Sequence, residues 1–98
     1  MEITEVPLQE RIDMVKGEIR NFELQWLGRE ADVTKFADLI GAHDAGQFRD
    51  WDKDIVRARV REWQAQRDSA RIDMRAMEVT LANAKARLAA LVAEKGED

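Results

Sequence analysis

The chain has 98 residues, with 16 Lys and Arg against 20 Asp and Glu, a net charge of −4. That length allows one small domain with a modest core, so oligomerisation is expected. The absence of cysteine excludes disulfides and thiolate chemistry. No apolar run approaches the ~20 residues that span a bilayer. The acidic start, MEITEVPLQERID, lacks the basic and apolar regions of a signal peptide. A cytoplasmic protein with no membrane association is therefore expected.

Charge is unevenly spread. Residues 1–52 hold 12 acids and 6 bases, whereas residues 53–98 hold 8 acids and 10 bases. The two halves either attract each other within the fold or face different partners.

The first predicted element runs over about 7–40. Pro7 suits the first turn of a helix, where its missing N–H costs nothing. Apolar residues follow at Leu8, Ile12, Val15, Ile19, Phe22, Trp26, Val33, Phe36 and Ile40. Steps of three and four make this a heptad seam. Gly17 and Gly28 lie inside it, each costing about 1 kcal/mol of helix propensity. Gly28 leaves room for a kink or a break there, with Asp32 able to cap a restarted helix.

Residues 41–46 read as the connection. Gly41 suits the left-handed position after a helix, and Asp44 with Gln47 has capping-box spacing. The second helix is predicted over about 45–95, because Gln47 to Lys95 contains neither glycine nor proline. Its seam is Val56, Val60, Trp63, Arg67, Ala70, Met74, Met77, Leu81, Ala84, Leu88 and Leu91.

The fold class is all-α, an antiparallel, coiled-coil-like helical hairpin. In such a pair the numbers of opposed residues sum to a constant. A sum of 89 puts the bend inside 41–46 and sets Trp26 on Trp63, Ile12 on Met77 and Phe22 on Arg67. Near the bend, Phe48, Trp51 and Ile55 would then meet Ile40, Phe36 and Val33. Heptad seams also allow other sums, seven apart.

This register leaves the second helix uncovered beyond about Ala84. A further column, Ala58, Ala65, Ile72, Val79, Ala86 and Ala93, repeats every seven residues opposite the seam, matched by Gly17, Leu24 and Ala31 on the first helix. Two apolar faces call for two neighbours. A homodimer of hairpins forming a four-helix bundle is expected. The alternative is a three-helix bundle, with a break near Asp68-Ser69 and either residue capping a third helix.

Little in the chain suggests chemistry. His43 is the single histidine and Ser69 the single serine, far along the second helix from it. There is no Tyr and no Gly-rich phosphate loop. An enzyme is not expected, and no cofactor or metal is implied. Asp50, Asp52 and Asp54 open like a calcium loop, but Ile55 and Arg61 stand where it needs Gly and Glu. A charged first helical turn is the better account.

Trp26-Leu27-Gly28 resembles the W-x-G tripeptide of the WXG100 secreted helical hairpins. In that family the tripeptide lies in the turn and a Tyr-based signal follows the second helix. Here the expected turn is some fifteen residues later and tyrosine is absent. Trp26 is assigned to the core.

Three surfaces remain. Leu81, Ala84, Leu88, Leu91 and Val92 are the expected self-association or partner surface, as apolar groups left outside the hairpin. Glu10, Asp13, Glu18, Glu23, Glu30 and Asp38 form an acidic surface that an inhibitor of nucleic-acid-handling machinery would use by mimicking DNA. Arg11, Lys16, Arg20 and Lys35 interrupt it. Arg57, Arg61, Arg67, Arg71 and Arg75 form a basic surface for nucleic acid. Interleaved acids disfavour that reading. The expected function is a non-enzymatic protein–protein interaction module with a protein partner of unknown identity: an adaptor, assembly subunit or inhibitor.

Overall fold

In a computed structural model, which describes residues 6–96, two helices account for most of the chain: α1 (Leu8–Asp44) and α2 (Lys53–Gly96). α1 passes through Gly17, Gly28 and Gly41 as one helix. Burial of the seam outweighs the propensity cost of these glycines, and no break occurs at Gly28. Pro7 stands just outside the helix, and its carbonyl accepts the Arg11 N–H at 3.1 Å.

The turn lies later than the expected 41–46. Its cap uses the anticipated chemistry at other residues. Gly46, with φ +81°, takes the left-handed position. Its N–H donates to the His43 carbonyl at 2.9 Å, and the Gln47 N–H to the Ala42 carbonyl at 3.1 Å. This pair of bonds is a Schellman motif closing α1. Residues 45–52 then form the connection. Asp52, rather than Asp44, caps the second helix: its Oδ1 accepts the N–H groups of Asp54 at 2.9 Å and Ile55 at 3.1 Å.

Both expected seams form the interface. Ile12, Val15 and Ile40 of α1 are buried, as are Val56, Ala70 and Ala84 of α2. The other positions of the two seams are half-buried. The register, however, differs from the sum of 89. Polar bridges between the helices join Arg11 to Glu94, Glu18 to Arg87, Glu23 to Lys85, Arg29 to Asp73 and Trp26 to Glu78. Lys95 also donates to Gln9. These partners' numbers sum to between 102 and 108. The matching seam-to-seam register sums to 103, two heptads above the expected one. It sets Ile12 at the height of Leu91, Ile19 at Ala84 and Trp26 at Met77.

The layers of the earlier register fall with it: Ile12 does not lie on Met77, and Trp51 and Ile55, expected against Phe36 and Val33, are 59% and 57% exposed. Trp26 does not stack on Trp63; its Nε1–H donates to Glu78 at 3.2 Å. Arg67 turns to Asp68 at 3.2 Å instead of lying over Phe22. The tail of α2 is covered on its seam side by α1. The three-helix alternative also fails, since α2 continues through Asp68 and Ser69.

The molecule is a rod of 71 × 29 × 14 Å. It is one helix thick, so neither helix has a neighbour on its outer side. No helix among the described residues is long and apolar enough to cross a membrane.

Two outcomes test this geometry. A chain without native cysteine suits site-specific cross-linking. With Glu18→Cys and Arg87→Cys, a short bis-maleimide should link the helices rapidly. Glu18→Cys with Arg71→Cys, which the sum of 89 would favour, should react far more slowly, because Arg71 lies ~24 Å along α2 from Arg87 at ~1.5 Å per residue. Gly46→Ala forces a side chain into the left-handed region and should cost about 1–2 kcal/mol, read as a Tm roughly 4–16 °C lower by circular dichroism.

Candidate functional site

A cleft lies at the turn end. The Schellman cap and the Asp52 cap hold residues 45–52 across the mouth of the two helices. Phe48 packs edge-on to Trp51, with centroids 5.1 Å apart, and tilts against Trp63 at 5.7 Å. Phe48 and Trp51, with Val56, Val60 and His43, line this cleft of about 520 Å³. That volume falls within the range of ligand pockets. Val56 is 8% exposed and Trp51 is 59% exposed, so an apolar floor meets an aromatic edge open to water.

Four cations, Arg49, Lys53, Arg57 and Arg61, line the same cleft, and no carboxylate does. None of the four has an ion-pair partner among the described residues, whereas Arg11, Arg29, Arg59, Arg67, Arg71, Lys85 and Arg87 all do. His43 sits beside Asp44 at 3.3 Å. Among the described residues no group of three or more His, Cys, Asp or Glu could hold a metal ion.

The surfaces read from the sequence distribute differently. Of Leu81, Ala84, Leu88, Leu91 and Val92, the first four belong to the interior of the hairpin. Ala84 is fully buried, the three leucines are half-buried, and Val92 alone is exposed. The reason is the two-heptad shift, which brings the start of α1 alongside this stripe. Among the acids, Glu18 and Glu23 bridge to Arg87 and Lys85, Asp13 accepts from Gln9 at 3.0 Å, and Glu10, Glu30 and Asp38 have no cationic partner among the described residues. Of the basic set, Arg57 and Arg61 border the cleft. Arg67 and Arg71 share Asp68 at 3.2 and 4.0 Å, and Arg75 lies apart from the cleft. Trp26-Leu27-Gly28 lies in the middle of α1, far from the turn.

The role of Phe48, Trp51, Arg49 and Lys53 at the turn was not read from the sequence. Placing the turn at 41–46 assigned the two aromatics to a helical seam. The available signal was two aromatic residues and two bases inside residues 48–53, next to a glycine and a capping aspartate.

Comparison with protein-family models, with curated proteins and with solved structures gives no match.

Because Leu88 now packs inside the hairpin, Leu88→Asp should weaken the fold itself. Putting a carboxylate in that seam costs at least ~2 kcal/mol. A melt should show a Tm lower by roughly 8 °C or more. An unchanged Tm would mean that this stripe is not an interior surface.

Proposed function

We propose that this chain is a non-enzymatic protein–protein interaction module whose first partner is a second copy of itself. The single observation that carries this is the row of large apolar side chains on the outer edge of α2. Ile72 is 65% exposed and Val79 is 63% exposed, within a column that continues through Ala58, Ala65, Ala86 and Ala93. Leu24, at the height of Val79 in the 103 register, is 59% exposed on the outer edge of α1. A hairpin one helix thick has no means of covering these edges itself. The six buried side chains, three of them on each helix, make a narrow core, and chains of this size often rely on association for stability.

The α2 column is self-complementary when two copies run antiparallel. Ile72 then meets Val79 of the partner, while Ala65 and Ala58 meet Ala86 and Ala93. Small residues at both ends let the helices approach closely, and branched residues fill the centre. This places the interface on the outer edge of α2 rather than on the Leu81–Leu91 stripe. Adaptor, assembly-subunit and inhibitor roles all use such a rod.

The two other readings have less support. Glu18 and Glu23 are engaged by cations of the same chain, which dilutes an acidic DNA-mimic surface. Arg67 and Arg71 are engaged by Asp68, which breaks up the basic row a nucleic acid would follow.

Sedimentation equilibrium at tens of micromolar should give twice the chain mass. Ile72→Glu with Val79→Glu should return it to the mass of one chain while helicity at 222 nm is kept. A wild-type monomer at this concentration, or a dimer untouched by the double substitution, would refute the interface.

A further inference from the structure

We propose that the cleft at the turn is a docking site for an acidic protein segment that inserts one large apolar side chain. This goes beyond self-association, which uses the outer edge of α2 and leaves the turn free.

The cleft offers two chemistries side by side. Its lining of Phe48, Trp51, Val56 and Val60 gives an apolar surface of a size that accepts a leucine or aromatic side chain. Around it stand Arg49, Lys53, Arg57 and Arg61; no carboxylate lines the cleft, and none of the four is within ion-pair distance of one among the described residues. What sets the cleft apart is four such cations around one apolar surface. A ligand that complements both features carries carboxylates flanking an apolar anchor.

The surroundings decide between sources of such a ligand. Asp44, Asp50, Asp52 and Asp54 lie in the same turn region, and the whole chain is net −4. A long polyanion such as nucleic acid would run over these acids after leaving the cleft. A short peptide places a few carboxylates on the four cations and ends. Trp51 is exposed at the edge of the cleft, whose lining also includes Arg57 and Arg61. An aromatic anchor site surrounded by charge suits a peptide that carries both chemistries.

The test uses the full chain and a random dodecapeptide display library. Enriched peptides should share Asp or Glu on either side of a Leu, Ile, Phe or Trp. Their affinity, measured by fluorescence anisotropy, should fall with added salt. It should drop at least tenfold on Arg57→Glu with Arg61→Glu, and similarly on Trp51→Ala. Each of these side chains is exposed, so retained helicity serves as the control for folding. Replacing the peptide's apolar anchor by Ser should abolish binding. The proposal is overturned if selection yields no binders or only neutral or basic ones, if the cleft variants bind as well as the parent, or if oligo-dT binds more tightly than every selected peptide. Sedimentation of the same cleft variants should still give the dimer mass, which separates this inference from the self-association one.

Discussion

Where the chain turns decides what every other residue faces. Two heptad seams can slide past one another in steps of seven, and each step keeps apolar residues on apolar residues. What selects one step is the hydrophobic tail of α2. At a sum of 89 that tail has no cover; two heptads on, Ala84, Leu88 and Leu91 gain the start of α1. Full burial of a leucine is worth about 1.5–3 kcal/mol, so even half-burial of two of them contributes about as much as one full burial. Lengthening the connection from six residues to eight costs only about 0.3 kcal/mol by the loop-closure relation. Exposed ion pairs such as Glu18–Arg87 add at most about 1 kcal/mol each. Coverage sets the register, and charge then agrees with it.

Much of the fold could be read from the residues. The absence of glycine and proline from 47 to 95 implied one long helix, and every seam position named on both helices is buried or half-buried. The bend was harder because the chain offers two sets of stop signals. Gly41 with Asp44 and Gly46 with Asp52 have the same chemistry, and local propensity does not rank them. The difference is tertiary: Ile40 and His43 continue the seam of α1, and helix that buries a seam is extended past a glycine. Opposed charges do not separate the two registers. At the observed one, Glu18 meets Arg87 and Arg29 meets Asp73; at the earlier one, Glu18 would have met Arg71 and Arg11 would have met Glu78, so only the coverage of the α2 tail distinguishes them.

The candidate site was hidden by the same slip. Once the turn moves to 45–52, Phe48 and Trp51 leave the helical seam, and Phe48 packs against both Trp51 and Trp63. These three aromatic residues gather at the closed end, while Phe22, Trp26 and Phe36 stay along α1. A lone arginine on a helix is usually solvated or paired, and most on this rod are paired. Arg49, Lys53, Arg57 and Arg61 differ because the turn and the first two turns of α2 bring them to one apolar recess. A local sequence pattern does not reveal this, since residues 49–61 also contain Asp50, Asp52 and Asp54. It takes the cap geometry, with Asp52 committed to backbone N–H groups, to separate acids that build the turn from bases that face the cleft.

The rod's two ends and its edge therefore differ in chemistry. The open end is closed by polar bridges, Arg11 to Glu94 and Lys95 to Gln9, which suit a solvated terminus. The closed end gathers aromatic surface and a cleft whose charged lining is four cations. Between them, a layer one helix thick exposes Leu24, Ile72 and Val79 on its outer edges. Apolar residues scattered singly on a surface need no explanation, but these recur at heptad spacing at matching heights. Periodic apolar residues on an outer helix face cost solubility, and ordinary surface design would fill such positions with charge, as Glu30 and Arg61 do nearby. Apolar groups at this spacing match the repeat of another long helix, which is why a second copy is the neighbour proposed for this edge.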